Sequence, residues 1–134
     1  MQPEDHQRNR PEPGSAADWM RHARSNLALA SVTAPPEVLT ETLCFHAQQA
    51  AEKGLKAVLV AHGHPAPRIH NIRTLIELLP AHLAPPPLLN EAAALSVYAV
   101  LTRYPADVEP VTEEEYQEAI ALAEAVVEWA EQHV

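Results

Sequence analysis

The sequence predicts an all-α fold, an up-and-down bundle of four to five helices, and three observations point there. Apolar residues recur at spacings of three and four through five segments, the period of a helix face. Ala, Leu and Val supply most of the 47% apolar content, whereas aromatic residues make up 4% and glycines number three. Ala and Leu favour helix, while sheets prefer β-branched and aromatic side chains. Start and stop signals also punctuate the chain at helix-length intervals. At 134 residues it is one domain long, and such a chain buries roughly two-thirds of the surface that its unfolded form exposes.

Residues 1–14 (MQPEDHQRNRPEPG) are too polar and Pro-rich to bury anything and read as a disordered leader, leaving 15–134 for the bundle. Ser15 is an N-cap, with Asp18 adding favourable charge to the first turn. The first helix runs from there to about Ser31 and places Trp19, Ala23, Leu27 and Ala30 on one face. Pro35-Pro36 ends it. The second and longest helix is expected over Glu37 to Ala61, with Leu43, Ala47, Ala50, Gly54, Val58 and Ala61 forming a narrow stripe of mostly small residues against which another helix can lie closely. Gly63 suits a left-handed cap, and Pro65 blocks continuation. A short helix from Asn71 to Leu79 turns Ile72, Leu75, Ile76 and Leu79 inward. Pro85 to Pro87 opens a fourth, Leu88 to Thr102, with Leu88, Ala92, Leu95 and Ala99 as its apolar face. Arg103-Tyr104-Pro105 breaks it, because a residue before proline avoids the helical region. Thr112 and Glu115 form a capping box for the last helix, which continues to about Gln132 through Tyr116, Ile120, Ala123, Val127 and Ala130.

Charge and cysteine usage narrow the function. The formal net charge is −9, with six Lys/Arg against seven Asp/Glu in residues 1–67 and three against eleven in residues 68–134. Such a surface repels phosphate backbones, so broad nucleic-acid binding is disfavoured except where Lys53 and Lys56, or Arg68 and Arg73, gather locally. A single cysteine, Cys44, excludes an internal disulfide and a cysteine-based zinc site, and within its apolar run it reads as a buried structural thiol. The N-terminus has no apolar core of a signal peptide, and no apolar run reaches the ~18 residues of a membrane span. A cytoplasmic protein without membrane attachment is expected.

The second helix carries Phe45-His46-Ala47-Gln48-Gln49-Ala50-Ala51-Glu52-Lys53-Gly54-Leu55-Lys56-Ala57-Val58-Leu59. This stretch resembles the core helix of HEPN domains (higher eukaryotes and prokaryotes nucleotide-binding), which read as an aromatic, then Ala-Gln-Gln-Ala-Ala-Glu-Lys, then Lys-Ala and an apolar end. Trp19 with Ala23 and Leu27 looks like that family's first helix. His70-Asn71-Ile72 with Leu75 and Leu78 is similar to its His-Asp-Leu segment, and Leu95 to Tyr104, ending Thr102-Arg103-Tyr104-Pro105, to its Tyr-x-x-x-x-Arg-Tyr-Pro segment. The resemblance spans about residues 15–132. It implies a bundle that is commonly a homodimer and often pairs with a small nucleotidyltransferase, sometimes as toxin and antitoxin. Many members are ribonucleases using Arg, four to six intervening residues, then His. None of the seven arginines here is followed by His at that distance. The expected function is therefore a HEPN-type module that binds a partner, and with it a nucleotide or phosphate, with no catalytic residue assigned. A ribonuclease with displaced catalytic groups and a structural dimerisation domain remain the alternatives.

Gln49, Lys53, Lys56, His70, Arg103 and Tyr104 are the candidate ligand- or partner-binding residues, expected to converge on one side of the bundle. The bland alternative for Gln48, Gln49, Glu52, Lys53 and Lys56 is a solvated helix face, with Glu52 and Lys56 as an i,i+4 surface pair. Arg103 suits either an anion pocket or a structural pair with Glu52 or Asp107, being permanently charged and bidentate. The family usually places its acid directly after the proline, whereas here Ala106 intervenes. His62, His64 and His70 lack nearby Cys or carboxylate companions, so they read as loop histidines, and neither metal nor cofactor is expected.

Overall fold

The computed structural model describes residues 10–101 and 109–134, and every regular element within them is helical. In chain order these are α1 (Ala16–Ala30), α2 (Thr40–Ala61), α3 (Ile72–Leu78), a 3₁₀ turn (Ala81–Leu83), α4 (Pro87–Glu91), a 3₁₀ stretch (Ala92–Ser96), α5 (Val97–Leu101) and α6 (Glu113–Glu131). The α4–3₁₀–α5 run stands where one continuous fourth helix is expected, so the described residues follow the five-segment plan of the sequence. Arg103, Tyr104 and Asp107, like residues 1–9, lie outside the described residues.

Local chemistry sets the helix ends. The Ser15 hydroxyl accepts from the Asp18 N–H, and the Asn71 side chain accepts from the Thr74 N–H. Thr112 and Glu115 satisfy each other's backbone N–H groups in a complete capping box. At the end of α2 the His64 N–H reaches Leu59 O at 2.9 Å and the Gly63 N–H reaches Val60 O at 3.1 Å. This is a Schellman closure, with Gly63 at φ 85° where a side chain would be strained. The start of α2 is three residues later than expected. Val38 N–H bonds Pro35 O at 3.0 Å, closing a turn, and Leu39 is extended before the helix begins at Thr40.

Helix α2 is the central element, packed by α1, α6, α3 and the α4–α5 run. Its small-residue stripe faces α6. A Cβ built on Gly54 would stand 3.5 Å from the Ala130 Cβ and 3.9 Å from the Val127 Cα, so the two helices approach nearly backbone to backbone there. Leu43, Ala47, Ala50 and Val58 of the stripe are buried, whereas Ala61, one residue before the cap, is exposed. The stripe and the buried Trp129 are thus used within the bundle. The Tyr116 hydroxyl donates to Ala30 O at 2.5 Å and ties α6 to the end of α1. Cys44 is wholly buried, as its apolar setting predicts. Burial and the nearby Glu41 carboxylate push its thiol up from 9.0 to about 11.

One face differs from expectation. Leu88 is 46% exposed, and the buried residues of the fourth segment are Leu89, Ala92, Leu95 and Tyr98. Their spacing is three throughout, the period of a 3₁₀ helix and not the 3.6 of an α-helix. Around the tightened stretch Ala92–Ser96 the inward face begins one residue later than expected, at Leu89, and ends one residue earlier, at Tyr98 in place of Ala99. Among the described residues no helix is long and apolar enough to cross a membrane.

Candidate binding site

At about 100° per residue the polar residues of α2 fall, around the helix, in the order His46, Lys53, Gln49, Lys56, Glu52 and Gln48. They form one continuous arc from the seam with α1 to the beginning of α3. The middle of this arc is not a solvated face. Gln48 is 0% exposed, Glu52 3% and Lys56 4%. A buried charge must be paired and its remaining hydrogen-bond capacity filled, and here it is. The Lys56 ammonium donates to Glu52 Oε2 at 3.0 Å, and Gln48 Nε2 donates to Glu52 Oε1 at 3.1 Å. His70 Nδ1 adds contacts of 3.2 and 3.3 Å to the two carboxylate oxygens. Gln48 Nε2 also reaches His70 O at 3.3 Å, fixing the chain just before α3. Trp19 of α1 lies with its ring centroid 5.5 Å from the Lys56 ammonium, a cation–π contact that helps replace lost hydration.

The residues singled out from sequence thus divide. Lys56 is an internal partner of Glu52, and Gln49 donates to Gln48 Oε1 at 2.7 Å. His70 joins the same network through Nδ1 while its side chain stays 66% exposed, which leaves Nε2 toward solvent. Glu52, weighed as a partner for Arg103, is engaged by Lys56 and His70. The convergence of Arg103 and Tyr104 with the others concerns residues outside those described.

Lys53 turns the other way. Its ammonium donates to Asn26 Oδ1 of α1 at 2.8 Å, and Asn26 Nδ2 lies 3.1 Å from His46 Nδ1. Burial holds the Lys53 pKa below its ordinary value, outweighing the attraction of Glu52, and the Lys56 charge lowers it further. His46 is lowered as well, first by burial and then by Lys53. Asn26 and His46 did not stand out in the sequence. The available signal was His46 seven residues before Lys53, on the same stripe, with an asparagine inside a helix that it does not cap.

His62 and His64 stand apart from this arc. His62 Nε2 donates to His133 O at 3.0 Å and His64 Nδ1 to Pro65 O at 2.6 Å. Among the described residues no group of three or more metal-capable side chains comes together.

A helical bundle whose central helix carries a polar arc between its neighbours has the makings of a binding module. The profile of the HEPN domain family matches residues 16–133, and the chain belongs to that family, which makes it a nucleotide-related module in the broad sense. It is similar to the protein TT1696 from Thermus thermophilus, known from a crystal structure, with 34% sequence identity, a TM-score of 0.78, and coverage of 90% of this chain and 99% of that one. No curated protein matches the chain.

Proposed function

We propose that this HEPN domain is a binding module that works beside a partner protein, a small nucleotidyltransferase in a toxin–antitoxin-like pair, and recruits a nucleotide or phosphate to the polar arc of α2. The observation that carries the reading is the division of labour along that arc. The members of the Gln48–Glu52–Lys56–His70 network answer one another, with Lys53 and the outer edge of His70 on its two flanks. On a chain of net charge −9, a local cation is where an anion is drawn over the rest of the surface. The same reading assigns Arg103 and Tyr104, which lie outside the described residues, to this binding role, and a homodimer with an isologous interface is the expected assembly.

Purification of the untagged protein from its host, with bound proteins identified by mass, tests the pairing. A nucleotidyltransferase is expected to co-purify, and its retention is expected to fall in a Lys53→Ala, Arg103→Ala double variant and at high salt. Undiminished retention in that variant overturns the role of the arc. Steady cleavage of single-stranded RNA by the isolated protein, lost on His70→Ala or Arg103→Ala, replaces the binding module with a ribonuclease.

A further inference from the structure

The fourth segment changes neighbours partway along. Helix α4 and the 3₁₀ stretch pack on α6, whereas α5 packs on α2. Where the run turns from one to the other, its outer side parts from α6 and a groove of about 240 Å³ opens between them. Ala94, Leu95, Val97 and Tyr98 form one wall, and Ala119 and Leu122 form the other. That volume lies below the ~300–1,000 Å³ of a small-molecule pocket, so the groove has room for side chains and not for a cofactor.

Packing and capping leave two features of its rim unexplained. Ala94, Val97 and Val100 recur at a spacing of three and are all exposed, Val97 at 49% and Val100 at 57%. They run alongside the buried row of Leu95 and Tyr98. A β-branched side chain at an exposed helix position loses rotamer freedom and gains no burial, so packing among the described residues gives the two valines no role. The other feature is charge. Glu115 and Glu118 stand on the α6 side of the groove. Glu115 caps the helix through Thr112. Glu118 lies beyond the first turn, where the helix dipole no longer favours a carboxylate, and among the described residues it meets no cation. From residue 104 onward the chain contains no Lys or Arg, and the ion pair of α6 among the described residues, Glu131 with Arg24, is at the opposite end of the helix.

We propose that this groove docks a basic, amphipathic helix of a partner protein, its apolar side chains against Leu95, Val97 and Leu122 and a flanking Lys or Arg at Glu118. An apolar strip bordered by carboxylates selects such a helix by burial along its length and by charge at its edge. A second copy of this chain does not meet the requirement, because its net charge is −9 and its own α6 would bring the same carboxylates. The groove shares no residue with the polar arc of α2, so this contact is additional to the anion site proposed there.

Fluorescence anisotropy with a labelled helical Leu/Lys peptide, leucines at i, i+3, i+4 and i+7 and lysines elsewhere, tests this on the full-length chain. A scrambled peptide of the same composition keeps the charge and loses the apolar face. Saturable binding at least about tenfold tighter than that of the scrambled peptide is expected. Val97→Asp, which sets a charge against the apolar face, and Glu118→Lys are each expected to weaken binding about tenfold or more, whereas Glu124→Lys, on α6 outside the groove, is expected to change it by less than about twofold. All three positions are exposed, so the bundle stays folded. Equal affinity for the two peptides overturns the proposal, as does absence of saturation, binding unchanged in Val97→Asp, or a loss as large in Glu124→Lys as in Glu118→Lys. The probe is synthetic, so these outcomes are separate from whether a nucleotidyltransferase co-purifies.

Discussion

Two faces of α2 solve the same problem by opposite means. Toward α6, Ala47, Ala50, Gly54 and Val58 let a neighbouring helix come so close that no space is left for water. Toward α1 and the start of α3, Gln48, Glu52 and Lys56 are equally buried but polar, and their burial holds because each answers another. The first face stabilises the fold through van der Waals contact and apolar burial. The second contributes little net stability, since desolvation offsets most of the Coulombic gain, but it does fix which groups lie where. A surface built for packing tolerates no bulk, and one built for charge tolerates no missing partner.

Removing one member of the polar face has the largest expected effect. Glu52→Ala strands the Lys56 ammonium and should cost about 3–5 kcal/mol in urea denaturation. Replacing both, as Glu52→Leu with Lys56→Met, should recover much of that loss. A single-variant cost below about 1 kcal/mol, the ordinary value of a surface pair, would erase the distinction between the faces. On the packing face Gly54→Leu should cost about 1–3 kcal/mol by overpacking against Ala130 and Val126. Gly54→Ala meets only ordinary contacts and should stabilise by up to about 1 kcal/mol, the helix-propensity gain. Thermal unfolding of the two variants with opposite signs would confirm a close but not overfilled seam.

The smallest effect belongs to His46. Its folded-state pKa lies below the ordinary 6.5 because burial, and then Lys53, disfavour the imidazolium. The unfolded chain therefore binds more protons than the folded one as the pH drops. This contribution to stability is complete above about pH 6.5 and declines as the pH falls through the folded-state value. In Lys53→Met the second cause is gone and the first remains, so His46 should titrate higher by NMR yet still below 6.5. An unchanged titration would mean that the two side chains do not share an environment.

Legibility from sequence follows the range of the determining interaction. The Ser15 and Thr112 caps and the Gly63 closure are set by residues within a turn or two of themselves, and they are as the sequence reads. The inward face of the fourth segment is not, because local 3₁₀ tightening changes the period from 3.6 to three, and Ala and Leu at 92–95 do not announce it. Glu52 and Lys56 read as a surface pair at i,i+4. What buries them arrives from elsewhere, Trp19 from α1 and His70 from the approach to α3, and no periodicity within α2 encodes that arrival. Lys53 is legible as a cation, but its amide partner lies 27 residues upstream on another helix.

The lone thiol has a practical consequence. With its pKa at about 11, Cys44 is ionised at neutral pH to the extent of only about one molecule in ten thousand, and it is sealed from solvent besides. Thiol-directed alkylating reagents and oxidants meet almost no thiolate in the folded protein. A cysteine introduced at an exposed position such as Arg73 or Glu124 then becomes the single reactive handle for a spin label or fluorophore, with the native residue left in place. Reaction at Cys44 itself reports that the bundle has opened, so the same protein carries its own chemical clock for unfolding.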